Sequence, residues 1–240
     1  MAAFTVKLIG RKEVARGTTA FYFEKPKDFQ FRAGQFVLVN LIDPPETDAE
    51  GDSRTFSLAS APYEAVLMVA TRMRDTAFKR VLGALALGDE VAIRGPYGRL
   101  GLHEDAARPA VLLTGGIGIT PFRSILLQAQ RDGLPHRVFL FYANRTPQDA
   151  AFLPELRGVE TGEAGFGFIP TVTAAGAAAG SWRGETGHIS IEMLSRYVAD
   201  LLLPVYYIAG PHGMVAAMQR MLVDAGVGGD SIRAEEFSGY

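Results

Sequence analysis

Residues 110–121 read Ala110-Val111-Leu112-Leu113-Thr114-Gly115-Gly116-Ile117-Gly118-Ile119-Thr120-Pro121: an apolar run, a glycine-rich turn and the start of a helix-like segment. Glycine lets a backbone approach a ligand closely. The free N–H groups at a helix start, at the positive end of its dipole, favour a pyrophosphate. Thr120 suits the cap of such a helix and Pro121 its first position. The spacing Gly-Gly-x-Gly-x-Thr-Pro departs from the Gly-x-Gly-x-x-Gly of dinucleotide dehydrogenases, so it is either a variant nucleotide loop or an ordinary tight strand-to-helix turn.

Outward from this stretch the chain has two textures. From residue 109 onward, apolar runs at 110–113, 138–142, 168–172, 205–208 and 232–236 alternate with helix-like runs at 121–131, 147–156, 191–200 and 213–225. That rhythm predicts a parallel sheet with helices on both faces. Before residue 100, short β-rich pieces at 5–9, 19–23, 35–41, 55–58, 65–71 and 90–94 are separated by turn residues, which predicts a small antiparallel barrel. One helix interrupts it, because Ala77, Phe78, Val81, Leu82, Leu85 and Ala86 recur at helical spacing before Gly88-Asp89. Residues 43–53 are acidic and polar and read as a mobile surface loop; the small-residue run 174–180 reads as a flexible one. The boundary is expected in the charged stretch 103–108, giving domains 1–103 and 104–240.

With 240 residues, 48% of them apolar, the chain can bury a sizeable core. Twenty-four basic residues against 26 acidic ones give a net charge of −2, with no long basic run, so neither nucleic acid nor an anionic membrane is indicated as a partner. No apolar stretch reaches membrane-spanning length and residues 1–11 lack a secretory layout, so the expectation is a cytoplasmic protein without membrane insertion. Cysteine is absent, which excludes disulfides, thiol catalysis and a cysteine-ligated iron–sulfur cluster built from this chain. His103, His136, His188 and His212 lie far apart without zinc-motif spacing; they read as surface or loop histidines, and no metal site is expected.

Three motifs in order resemble the ferredoxin-NADP reductase superfamily: Arg54-Thr55-Phe56-Ser57, like its Arg-x-Tyr-Ser flavin signature; the Gly115–Pro121 loop, like its pyridine-nucleotide loop; and Gly210-Pro211, like its second nucleotide loop, followed by Glu236-Phe237. The resemblance implies a two-domain flavoprotein: an antiparallel barrel for FAD, then a doubly wound α/β domain for NADH or NADPH. Hydride would pass from nicotinamide to flavin N5, and electrons would leave to an external acceptor such as a ferredoxin, a flavodoxin or a partner oxygenase. A free-flavin or ferric reductase, and a non-autonomous electron-transfer or sensing subunit, are the alternatives.

Residue by residue, Arg54 has the planar fork that a phosphate site needs. Strand alternation puts Arg54 and Phe56 on one face and Thr55 and Ser57 on the other. The resemblance implies that Phe56, in place of the family's Tyr, packs on the flavin, and that Ser57 donates toward its N5 edge. It implies further that Met68, Val69, Ala70 and Thr71 line the flavin side chain. Thr76, at a helix start, either binds a diphosphate oxygen or is a plain cap. Gly115, Gly116, Gly118, Ile119 and Pro121 would form the pyrophosphate loop, and Thr120 would orient the nicotinamide. Gly210 and Pro211 would lie at the carboxyl edge of the sheet, with Ala209 where the family often carries Cys. Asn144 and Arg145 would lie near the adenosine ribose; the small residues at 173–176 lean toward NADH, and Ser181, Trp182 and Arg183 could reverse that lean. Phe237 is the expected aromatic beside the flavin, with Tyr240 its competitor, and Glu236 a proton-relay carboxylate.

Overall fold

The computed structural model describes residues 3–159, 165–174 and 182–237. The first six strands are β1 (Ala3–Ala15), β2 (Thr18–Glu24), β3 (Phe36–Leu41), β4 (Ser53–Ser57), β5 (Val66–Arg72) and β6 (Glu90–Tyr97). They pair antiparallel in the order β4-β3-β6-β1-β2-β5. Edge strands β4 and β5 also touch, which rolls the sheet into a barrel. Alternate residues such as Val6 and Leu8, Phe21 and Phe23, Val37 and Val39, and Val91 and Ile93 point inward to form its core. Helix α1 (Ala77–Ala84) adds Phe78, Val81 and Leu82 to that core, and Thr76 caps it by accepting from the Lys79 N–H at 3.3 Å.

The second sheet comprises β7 (Ala110–Gly115), β8 (Val138–Asn144), β9 (Phe166–Val172), β10 (Glu185–Thr186), β11 (Val205–Pro211) and β12 (Ile232–Phe237). All pairs are parallel, in the order β10-β9-β8-β7-β11-β12. Every residue of β7 is buried, as a strand covered on both faces requires. Helices α2 (Ile119–Asp132) and α3 (Leu153–Arg157) pack on the face bearing Ala110 and Leu112. Helices α4 (Ile191–Ser195) and α5 (His212–Asp224) pack on the face bearing Val111 and Leu113. From β7 the chain winds one way through β8–β10 and then crosses to the other side for β11 and β12. This opens a crevice between the carboxyl ends of β7 and β11, the place where such sheets take ligands.

The two halves share a core. Ala20, Ala59, Ala61, Met68 and Ala70 of the barrel belong to the same apolar cluster as Phe122, Ile125 and Leu126 of α2. Across this seam Arg123, its side chain 7% exposed, donates to the Ala59 carbonyl at 2.6 Å and bridges Glu64 at 2.9 Å and Glu155 at 2.6 Å. A guanidinium this buried is tolerated because carboxylates meet it from both sides.

The structure corrects several expectations. A 3-10 turn over Gly116–Gly118 brings the chain into α2 at Ile119, so Gly118 is the cap, Pro121 is the third helical residue, and Thr120 donates its hydroxyl back to the Ile117 carbonyl at 3.0 Å. The helix expected over 147–156 is broken: a 3-10 turn spans Pro147–Asp149, Phe152 takes φ 60°, and α3 begins at Leu153. Pro154 explains the break, since deep inside a helix it would remove a hydrogen bond and clash with the preceding turn, whereas near a helix start it does neither. α4 stops at Ser195, whose hydroxyl returns to the Ile191 carbonyl at 2.8 Å, and the chain then turns to bury Val198. His103 and His136 are buried rather than superficial: the His103 ring bonds the Tyr207 hydroxyl at 2.9 Å, and His136 Nε2 meets the His103 carbonyl at 2.8 Å. The loop expected at 174–180, apart from Ala174, lies outside the described residues, as do Ser181 and Tyr240.

Candidate functional site

A cavity of about 330 Å³ opens on the seam where β4, β5, the start of α1, the turn after β7 and the end of β12 converge. Ten of its lining residues are sequence candidates: Arg54, Thr55, Phe56, Ser57, Ala70, Thr71, Thr76, Thr120, Glu236 and Phe237. They come from both sheets, so a ligand filling the cavity would touch both halves.

On the barrel wall, β4 behaves as alternation requires. Arg54 and Phe56 both face Phe78, the guanidinium 5.1 Å from the ring centre and the Phe56 ring 5.9 Å from it. Phe56 is 9% exposed, so most of its ring belongs to the barrel core and one edge remains for the cavity. Ser57 is 6% exposed, and its buried Oγ has no hydrogen-bond partner. A buried hydroxyl without a partner carries a desolvation cost that a ligand acceptor would relieve. The positive side of the cavity comprises Arg54, Lys79 and Arg72. Burial lowers the Lys79 pKa, helped by the nearby cations Arg74 and Arg54.

On the other wall, Thr120 is 3% exposed beside Ile117, and β12 contributes Glu235, Glu236 and Phe237. Glu236, also on the cavity wall, is exposed and pairs with His212 Nδ1 at 2.8 Å. Its neighbour Glu235 turns inward: its Oε2 is buried without a partner, and burial pushes the carboxyl up to about 7. Both carboxylates line the cavity, and Glu235 is the one that buries an unpartnered oxygen.

The remaining candidates do not line the cavity. Met68 and Val69 are buried in the seam and the barrel core. Gly115, Gly116, Gly118, Ile119 and Pro121 form the turn behind Ile117 and Thr120. Within that turn Gly118 is demanded by packing, because a Cβ there would lie 2.2 Å from the Ala209 carbonyl oxygen, whereas Gly116, at φ 55°, faces open space. Gly210 and Pro211 end β11 opposite Glu236 and Phe237 of β12. Asn144 and Arg145 sit at the end of β8, with Asn144 Oδ1 buried and unpartnered. Sequence reasoning missed Asp48, Glu50, Lys79 and Glu235 as lining residues. Asp48 and Glu50 lie in the acidic loop, which is pinned rather than splayed: Leu41 N–H bonds the Asp52 carbonyl at 2.9 Å, and Asp48 pairs with Arg54 at 2.6 Å.

The model for the oxidoreductase NAD-binding domain matches residues 112–220, which contain the turn, α2 and most of the parallel sheet. Ferredoxin-NADP reductase B of Sorangium cellulosum is 26% identical over 227 residues, covering 91% of this chain and 88% of that protein. The ferredoxin NADP+ reductase of Neisseria gonorrhoeae, solved with FAD and NADP bound, superposes with a TM-score of 0.82 at 22% identity, covering 98% of each chain. In sequence and in fold the chain is similar to ferredoxin-NADP reductases along nearly its whole length. It is also similar to the reductase component of propane 2-monooxygenase from Rhodococcus jostii, 26% identical over 219 residues. That alignment covers 89% of this chain but 57% of the relative, so the chain spans less than two thirds of that relative's length. Among the described residues no helix is long and apolar enough to cross a membrane, and no cluster of side chains suits a metal ion.

Proposed function

We propose that this chain is an NAD(P)H-dependent flavoprotein oxidoreductase that works in the cytoplasm, with FAD held by residues 1–103 and the nicotinamide nucleotide by residues 104–240. The observation that carries this reading is the seam cavity, in which a cationic end, an unpartnered Ser57 hydroxyl and Phe237 from the opposite sheet face one space. Its polar end suits a phosphate and its apolar walls suit a flat ring. Bound flavin would supply the chemistry, accepting hydride from the nicotinamide and releasing electrons singly.

The residues of the chain bind, orient and exchange a proton. Arg54, Lys79 and the capped start of α1 hold phosphate. Phe56 and Phe237 bound the ring site from opposite halves, and the Ser57 hydroxyl donates to a ring acceptor. The turn at Gly116 admits the nucleotide's pyrophosphate next to Thr120. Glu235, which titrates near neutrality, exchanges a proton with the cavity. The chain has no cysteine to ligate a cluster, so the one-electron acceptor lies outside these 240 residues, and an oxygenase or a ferredoxin-type protein fits that role. A second reading, in which flavin is a diffusing substrate, draws on the fact that Arg54 is already engaged by Asp48 and Glu50. Gel filtration separates the two: FAD co-eluting at one per chain supports a resident cofactor, and loss of all flavin supports the substrate.

Two variants test the roles. Ser57→Ala is expected to keep flavin bound while slowing its reduction by about tenfold, the worth of one hydrogen bond to a polarised acceptor, as read by anaerobic stopped flow. An unchanged rate would remove Ser57 from the mechanism. For Glu235, a carboxyl near 4.5 in the unfolded chain is raised to about 7 when folded. Wild-type stability is therefore expected to fall as pH rises from about 4.5 through about 7. Glu235→Gln should match wild type at pH 4, melt at a higher temperature than wild type at pH 8, and flatten the pH profile of flavin reduction near 7. Identical melting profiles at both pH values would show that Glu235 is not held neutral.

A further inference from the structure

The loop joining β3 to β4 folds over the cationic end of the cavity. Asp48 Oδ1 lies 2.6 Å from Arg54 Nη2, and Glu50 Oε2 lies 3.0 Å from Arg54 Nε. The carbonyls of Glu50, Gly51 and Ser53 accept from Nη1 at 3.1, 3.1 and 2.8 Å. Every nitrogen of the guanidinium is thus engaged by its own loop. Asp48 also accepts the Glu50 N–H at 3.0 Å, and the backbone N–H of Phe78, in the first turn of α1, interacts with the same carboxylate. The Asp48 carboxylate therefore sits between an arginine fork and a helix N-terminus, the two features that favour phosphate oxygens. Arg54 and Asp48 both line the cavity, and their side chains are 19% and 30% exposed.

We propose that Asp48 is a built-in anion: it occupies the phosphate subsite beside Arg54, and it competes with the incoming flavin phosphate for that arginine. The inference rests on the flavin reading of the cavity. A diphosphate carries more charge and more acceptor oxygens than one carboxylate, so it can displace Asp48, but the observed affinity is what remains after the internal pair is broken. Release of Asp48 need not free the whole loop, because Glu46 at its outer end is tied to Arg80, 2.8 Å from Nε, and Arg80 also holds Asp75. Glu50, whose side chain is 73% exposed, is the weaker competitor.

The test is calorimetric titration of flavin-free wild type, Asp48→Asn, Glu50→Gln and Arg54→Ala with FAD and, separately, with inorganic pyrophosphate. Asp48→Asn is expected to bind both about tenfold more tightly than wild type and Glu50→Gln about twofold, while Arg54→Ala loses pyrophosphate binding. The Glu50 variant keeps the Asp48 anchor, so it reports even where Asp48→Asn fails to fold. Equal or weaker binding of both probes by the two carboxylate variants would overturn the proposal and leave Asp48 a loop anchor. Tighter pyrophosphate binding without FAD binding by any variant would support the competition and refute the flavin reading. If no variant bound either probe, both would fall.

Discussion

Arg54→Ala is expected to raise the dissociation constant for FAD by one to two orders of magnitude, about 1.5–3 kcal/mol, the worth of a hydrogen bond between charged groups. The loss compounds, because without its guanidinium the Asp48 carboxylate remains at the cationic end of the cavity as an uncompensated negative charge facing the phosphate. Removal of Arg54 also takes away the side chain to which Glu50, Gly51 and Ser53 turn their oxygens, so the 48–53 loop loosens as well. Fluorescence titration of flavin-free protein checks the affinity. The pair Arg54→Ala/Asp48→Asn separates the two contributions: partial recovery in the double variant is expected if repulsion is part of the cost. Wild-type affinity in Arg54→Ala would remove the arginine from the phosphate site.

Gly118→Ala is expected to destabilise the fold by about 3 kcal/mol or more and to lower Tm by about 10 °C. A Cβ at this position would meet the Ala209 carbonyl oxygen at 2.2 Å and Gly210 Cα at 2.8 Å, and both belong to backbone that cannot swing away. That carbonyl already accepts the Thr114 hydroxyl at 2.8 Å, so pushing it aside also breaks a buried hydrogen bond. The contrasting variant is Gly116→Ala, two residues earlier. There a Cβ meets nothing within 4 Å and the backbone sits at φ 55°, so the expected cost is the left-handed penalty alone, about 1 kcal/mol. Thermal denaturation of the two variants checks the ranking. Equal melting temperatures would contradict the packing reason for glycine at position 118.

Most of the fold is legible because its signals are local. β7 is apolar throughout and buried throughout, and the alternation of Val37, Val39 and Leu41 with half-buried neighbours is the imprint of a barrel wall. The start of α2 is less legible: Thr120-Pro121 has the chemistry of a cap, but the Gly116–Gly118 turn winds the chain into helix before it arrives there. Pro154 did carry the signal that divides 147–156, and the apolar periodicity around it masked that signal. The candidate site follows the same division. Arg54, Ser57 and Thr120 stand in motifs, whereas Asp48 reaches the site because a hairpin loop folds back across six residues, a geometry that spacing does not encode. Glu235 and Glu236 both line the cavity, and which of the two buries its carboxylate depends on how β12 pairs with β11, a register that appears first in the fold.

Whether the seam cavity holds a flavin that a nicotinamide nucleotide can reduce is decided by anaerobic titration of the FAD-loaded protein with NADH and, separately, with NADPH, followed in the visible flavin band. Bleaching is expected to be complete at about one equivalent of nucleotide per bound flavin, and the nucleotide that acts first names the donor. A protein that shows no bound flavin band after FAD is added, or a bound flavin that neither nucleotide bleaches, would contradict it.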